Sequence, residues 1–146
     1  MAFTYNSGLF LLADETTGVR WNDPAAVFHM ALVTAAYVFD PTHTVYGDLS
    51  AEITNISYVA GGNAITTRTC IKDNINDRII FDGDDVTYVA LAAGDLPAAG
   101  VIYLNSVGQP KTLVSYNAIT VPIMPSGGAF TIMANATTGY FIISNL

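Results

Sequence analysis

The chain has little charge. Of its 146 residues only 12% are charged, against 51% hydrophobic, where soluble domains usually carry roughly 25% charge. A mean hydropathy of +0.41 follows. A free monomer keeps itself soluble with interspersed surface charge, so this balance predicts that part of the exterior is covered by other subunits. Basic residues are scarcest: five, at Arg20, Arg68, Lys72, Arg78 and Lys111, with no cluster. With a net charge of -7 and a pI near 4.3, this excludes a nucleic-acid backbone or an anionic lipid surface as the expected partner.

Cysteine is nearly absent. The single Cys70 excludes an internal disulfide and a cysteine-based zinc site, suits a reducing compartment, and reads as a small buried hydrophobe. Long apolar runs are missing too. "LFLLA" near the start lacks a basic flank and is too short for a secretory segment, and "ALVTAAYVF" is far too short for a membrane span. The expectation is a chain made in the cytoplasm that stays there, so the sequons Asn55-Ile56-Ser57 and Asn135-Ala136-Thr137 carry no meaning.

Catalytic motifs are absent as well. There is no P-loop, G-x-G-x-x-G, H-E-x-x-H, C-x-x-C or G-x-S-x-G. Only His29 and His43 are available as imidazole bases; His29 lies in an apolar run and reads as a core residue, His43 in a polar excursion and reads as solvated. The expectation is no enzyme, no cofactor and no metal.

What is present is a succession of short strands. Residues 5 to 13, "YNSGLFLLA", read as a short helix capped by Asn6, with Gly8 weakening that reading and a strand as the alternative. "DETTGVRWNDP" (14 to 24) follows as a loop. Residues 25 to 38, containing "AVFHMALVTAAYV", are apolar on both alternating sets, the pattern of a strand buried on both faces. Residues 39 to 57 form an excursion with one helical turn expected at Leu49 to Ile53. A Gly61-Gly62 break with positive φ precedes an alternating strand to Lys72. "DNIND" (73 to 77) reads as a hairpin connection into "RIIFD", and "DVTYVALA", "VIYLNS", "TLVSYN", "ITVPIM", "AFTIMAN" and "GYFIIS" follow as strands. Eight or nine strands with no second helical pattern predict an all-β fold. The expected form is a single-domain antiparallel β-barrel or sandwich with a short N-terminal helix: residues 1–24 an N-terminal segment and loop, 25–146 the β core.

Two features invite a functional reading. Asp82, Asp84 and Asp85 crowd "FDGDDV", but no closing Glu arrives for a calcium loop. Adjacent strand residues face opposite ways, so Asp84 and Asp85 cannot pair as hydrolase acids. They read as a tight turn in which Gly83 takes positive φ and an Asp caps backbone N–H groups. Trp21, in a polar loop, reads either as an exposed partner-binding anchor or as the pin that packs its loop onto the core.

Taken in order, "YNSGLFLL", "FHMALVTAAYVFDPTHTVYGDL", "ISYVAGGNAITTRT", "FDGDDVTYVAL" and "AGVIYLN", together spanning residues 5 to 105, resemble a family of tailed-bacteriophage virion proteins. These are small β domains found as capsid decoration or cement proteins. Tyr88 stands where that family usually has Trp, Ser57 where Gly is common, and "AAGDLPAAG" departs from its more polar connection. The resemblance implies a homotrimer bound to the phage major capsid protein on the capsid exterior of the virion, assembled in the host cytoplasm, and stabilising the mature head. A head-fibre, neck or tail component is the alternative within the same class, and a host-surface carbohydrate-binding module the alternative outside it.

Overall fold

The computed structural model describes residues 2–14, 16 and 19–144. Their core is a five-stranded antiparallel sheet in the order β1-β8-β7-β2-β3. Its strands are β1 (Ala2–Thr4), β2 (Phe28–Val33), β3 (Asn63–Ala64), β7 (Ala99–Leu104) and β8 (Leu113–Ala118). β2 and β7 pair over six positions, from Phe28↔Leu104 to Val33↔Ala99. Every residue of β7 is buried, as is all of β2 except half-buried His29. This is the doubly buried strand that the apolar run predicts.

One face of this sheet carries Phe28, Met30, Leu32, Ile102 and Leu104, packed against Trp21, Ile65, Phe81, Val86, Tyr88 and Phe141. The residues opposite come partly from two smaller sheets. One joins β4 (Thr69–Asp73), β5 (Arg78–Asp82) and β10 (Phe141–Ser144) in the order β10-β5-β4, and the other pairs β6 (Val86–Tyr88) with β9 (Phe130–Ile132). The other face, with Ala31, Val33, Ala99, Val101 and Tyr103, is covered by Tyr37 and by Phe39, Tyr46, Leu49 and Ala51 of the excursion. The protein is therefore all-β with antiparallel sheets and one short N-terminal helix, and its three sheets form a sandwich-like stack without closing a barrel.

That helix, α1 (Asn6–Ala13), begins one residue earlier than an Asn6 cap requires. Tyr5 is the N-cap and makes no side-chain cap bond, because its phenol is too long and stiff to turn back onto the first helical amides; the hydroxyl instead lies buried against Tyr37 at 2.9 Å. Gly8 has a packing reason to be in a helix: a Cβ there would stand 2.5 Å from Val114 Cα and 2.7 Å from its carbonyl oxygen. Only a bare backbone lets α1 lie on β8.

Several elements differ from the sequence reading. The run 25–38 keeps six residues as strand, since Tyr37 N–H returns to the Thr34 carbonyl in a turn. The helical turn is a 3₁₀ turn at Tyr46–Asp48, not at Leu49 to Ile53; Ile53 N–H instead donates to Leu32 on β2. The strand expected to reach Lys72 is cut between two sheets where Thr67 takes φ +46°. "DVTYVALA" ends as a strand at Tyr88, before Ala90 with φ +55°. "ITVPIM" forms no strand. Cys70 is exposed because β4 is an edge strand open on both faces. The N-terminal segment belongs to the core: β1 pairs with β8 and Trp21 packs among the core aromatics.

Gly8→Ala tests the helix seating. In an ordinary helix interior this change gains up to about 1 kcal/mol. Here the added methyl meets backbone, so urea unfolding is expected to show a loss of about 1–3 kcal/mol, as for other overpacked sites.

Candidate functional site

The loop that carries Trp21 is tied down from three directions. The indole is 1% exposed, its ring centroid lies 4.9 Å from Phe28 and 5.3 Å from Phe141, and Nε1 donates to the Asp82 carbonyl at 2.8 Å. Arg68 finishes the clamp, donating to the carbonyls of Trp21 (2.7 Å), Ile65 (2.7 Å), Asp23 (2.8 Å) and Ala26 (2.5 Å). Its guanidinium carbon lies 5.2 Å from the Phe28 ring centroid. Trp21 thus presents no surface to a partner. The exposed-anchor reading is corrected: an aromatic in a polar loop is buried when the loop finds a cation able to satisfy several carbonyls at once.

The three acids of "FDGDDV" are dispersed. Asp82 ends β5, and its Oδ1 is shut from solvent without a partner. Asp84 accepts from the hydroxyls of Thr66 (2.9 Å) and Thr67 (2.5 Å), and Asp85 from Ala134 N–H at 2.9 Å. Gly83 is not among the residues with positive φ. It is glycine for space, because a Cβ would stand 2.7 Å from Ile65 Cγ2. The turn joins two different sheets rather than the arms of a hairpin. Among the described residues no group of three or more His, Cys, Asp or Glu is placed to hold a metal ion.

The densest polar constellation centres on Glu52, which the sequence reading passed over. Tyr46 donates to its Oε2, while Tyr58 (2.5 Å) and the Gly61 N–H (2.6 Å) donate to Oε1. Leu32 N–H donates to the Tyr58 hydroxyl at 3.0 Å, and Tyr103 donates to the Gly61 carbonyl at 2.8 Å. Burial raises the pKa of Tyr46 and Tyr58 and pushes Tyr103 up to about 12, so these phenols stay protonated donors. Both carboxylate oxygens are engaged, which makes the group a cross-link between the excursion and β2. One signal was available: Glu52 is the only charged residue between Asp48 and Arg68.

The histidines are similarly engaged. His43, expected to be solvated, is half-buried with Nδ1 2.8 Å from the Tyr37 hydroxyl, which in turn meets Tyr5. Burial lowers the pKa of half-buried His29, with backbone hydrogen bonds at Gly61 and Gly62 opposing the shift.

The concavities lie elsewhere. A groove of about 500 Å³ is bounded by Ala2, residues 117–120, residues 131–133 and the turn from Asn135 to Tyr140. A smaller one of about 330 Å³ lies beside the β4–β5 hairpin, and one of about 380 Å³ lies near Arg20 and Cys70. The large groove holds no titratable group except Tyr140, whose hydroxyl donates to the Asp84 carbonyl at 2.7 Å. It offers shape and backbone edges rather than acid–base chemistry. Comparison with protein-family models, with curated proteins and with solved structures finds no match to this chain.

Two measurements check this account. Trp21→Ala is expected to lose about 3–5 kcal/mol of stability, the range for buried aromatics; in the wild type the single tryptophan should emit blue-shifted fluorescence that resists iodide quenching. The second concerns acid. Asp73 is held down at about 2 by hydrogen bonds from Asn76 and Arg78, below the ordinary value near 3.9. A carboxylate whose pKa is lowered by folding stabilises above its unfolded value, and that contribution is lost as pH falls through its folded one. The melting-temperature difference between wild type and Asp73→Asn should thus be full above about pH 4 and vanish towards pH 2.

Proposed function

We propose that this chain is a bacteriophage virion structural protein, a capsid decoration subunit that binds the outside of the mature head as a closed homotrimer. The observation that carries the reading is a β subunit whose buried polar side chains serve as internal ties while large apolar side chains face out. Val38, Ile56, Ile75, Val89, Val107 and Met133 are each at least 73% exposed. A surface so apolar suits a protein that functions within an assembly. The five segments that resemble decoration proteins support the same class.

The mechanism on this reading is mechanical. A protein that binds the expanded shell but not free coat subunits stabilises the shell by mass action, by RT ln(1 + [L]/Kd) per site. Engagement of several lattice sites by one closed oligomer multiplies modest contacts into a tight attachment. The carbohydrate-module alternative loses its anchor with the burial of Trp21.

Purified protein added to expanded, undecorated heads of the phage that encodes it should bind saturably and raise the temperature at which they rupture. It should not bind unassembled coat protein. Failure to bind heads overturns the reading, and density confined to the neck or tail in electron micrographs replaces it with the other virion role.

A further inference from the structure

Charge is unevenly distributed along the chain: no Asp, Glu, Lys, Arg or His precedes Asp14, and none follows Lys111. Folding brings these two uncharged stretches together, because β1 lies on β8. The large groove is walled by them alone, by Ala2 on the N-terminal side and by residues from Asn117 to Tyr140 on the other. Exposed strand edges normally carry charge that discourages pairing. Here β9 pairs only with β6, and among the described residues its other edge has no backbone partner.

An apolar segment runs beside this groove, bending at Thr120 and Val121 and held at its far end by buried Pro125. Ile119 N–H is bonded to Ala98 and Gly127 N–H to Leu91, but among the described residues 120–126 make no hydrogen bond between them. Val121, Ile123 and Met124 are 71%, 66% and 50% exposed. Val121 precedes Pro122 and Met124 precedes Pro125, positions that favour extended backbone. In an extended chain successive N–H groups point to opposite edges. Val121 and Ile123 therefore offer donors on one edge, while on the other Pro122 removes the donor between those of Thr120 and Met124. Such an arm offers an uninterrupted pair of donors on one side and an interrupted one on the other.

We propose that residues 120–124 of one copy seat in the groove of a second copy of this chain, adding along the free edge of β9 and burying Val121, Ile123 and Met124. The arm cannot fold back into its own groove with the same register, because its root at Ile119 and Thr120 is part of that groove's wall. The contact joins two different surfaces, so repetition closes a ring when the rotation allows. The proposal rests on the reading of the chain as one subunit of an assembly and assigns the surface that closes it.

Sedimentation equilibrium tests it on the whole chain, with three exposed-site variants checked for wild-type circular dichroism. Ile123→Asp damages the arm and Met133→Asp the groove, and each should weaken association by about tenfold or more, as expected for a buried contact residue, leaving the 15.5 kDa chain. Val107→Asp, at a fully exposed loop site, should leave the assembly intact. A mixture of the first two retains one intact arm and one intact groove, so it should form pairs that do not close. The proposal is overturned if the wild type sediments as a single chain up to its solubility, if Ile123→Asp or Met133→Asp keeps the wild-type mass, or if their mixture forms no pairs. Assembly lost in these variants while the wild type ignores phage heads leaves this contact standing and removes the capsid reading; assembly retained in a wild type and variants that all bind heads does the reverse.

Discussion

Six consecutive positions of β2 paired with β7, both strands buried on both faces, set the requirement that the rest of the molecule meets. A sheet centre of this kind needs cover on two sides. On one side Trp21, Phe81 and Phe141 supply it through the small sheets. On the other the chain uses Tyr37 and the irregular excursion after it, with Tyr37, Phe39, Tyr46 and Leu49 packed near Tyr5 and Tyr103. Tyrosine as filler brings hydroxyls into the interior, and each must be satisfied there. Hence Tyr5 meets Tyr37 and Tyr37 meets His43, Tyr46 and Tyr58 converge on Glu52, and Tyr88 donates to the Met30 carbonyl. The polar networks are consequences of how the sheet is covered.

The same requirement explains which parts of the fold were legible. Residues 25–38 declare a doubly buried strand because both alternating sets are apolar, and "RIIFD" matches β5 to the residue. Gly61 and Gly62 do take positive φ, +91° and +68°. A Cβ at Gly62 would stand 1.7 Å from the Met30 carbonyl oxygen, so this turn is defined by close approach as well as by φ. What periodicity does not reveal is where a strand changes sheets. Ala64 and Thr69 belong to one alternating run in sequence, yet Ile65 is drawn into the core and the backbone turns at Thr67. The break depends on Arg68 leaving the strand pattern to collect four carbonyls, a tertiary event without a local signature.

The candidate site shows the same division. That the Asp82–Asp85 region is a turn was legible from Gly83 and the strand patterns on either side. That Gly83 is required for space against Ile65, and that Trp21 faces inward to bond the Asp82 carbonyl, depended on contacts across 61 positions of sequence. Glu52 was overlooked because a single carboxylate in a polar excursion looks solvated until the two tyrosines that reach it are placed. Cys70 erred in the other direction: cysteine as a residue type favours burial, but here it sits on an edge strand with no neighbour to bury it.

The acids give this chain a further property. Asp14, Asp40 and Asp84 each accept from nearby threonine hydroxyls, Asp48 caps the N–H groups of Thr44 and Val45, and Asp95 holds Thr54. Negative charge is thus partly built into local turns, at Asp14, Asp40 and Asp48, as caps that stiffen loops, while Asp84 and Asp95 tie together segments distant in sequence. A subunit stiffened this way gives up little conformational freedom when it docks, which lowers one of the principal costs of association. Burying an exposed Val, Ile or Met side chain contributes roughly 1.5–3 kcal/mol before such costs, so in the proposed contact a few arm residues would hold two copies together weakly. Stiff loops, an apolar exterior and an uncharged groove therefore favour many modest, repeated contacts over one strong one, and a regular lattice is the setting in which such contacts add.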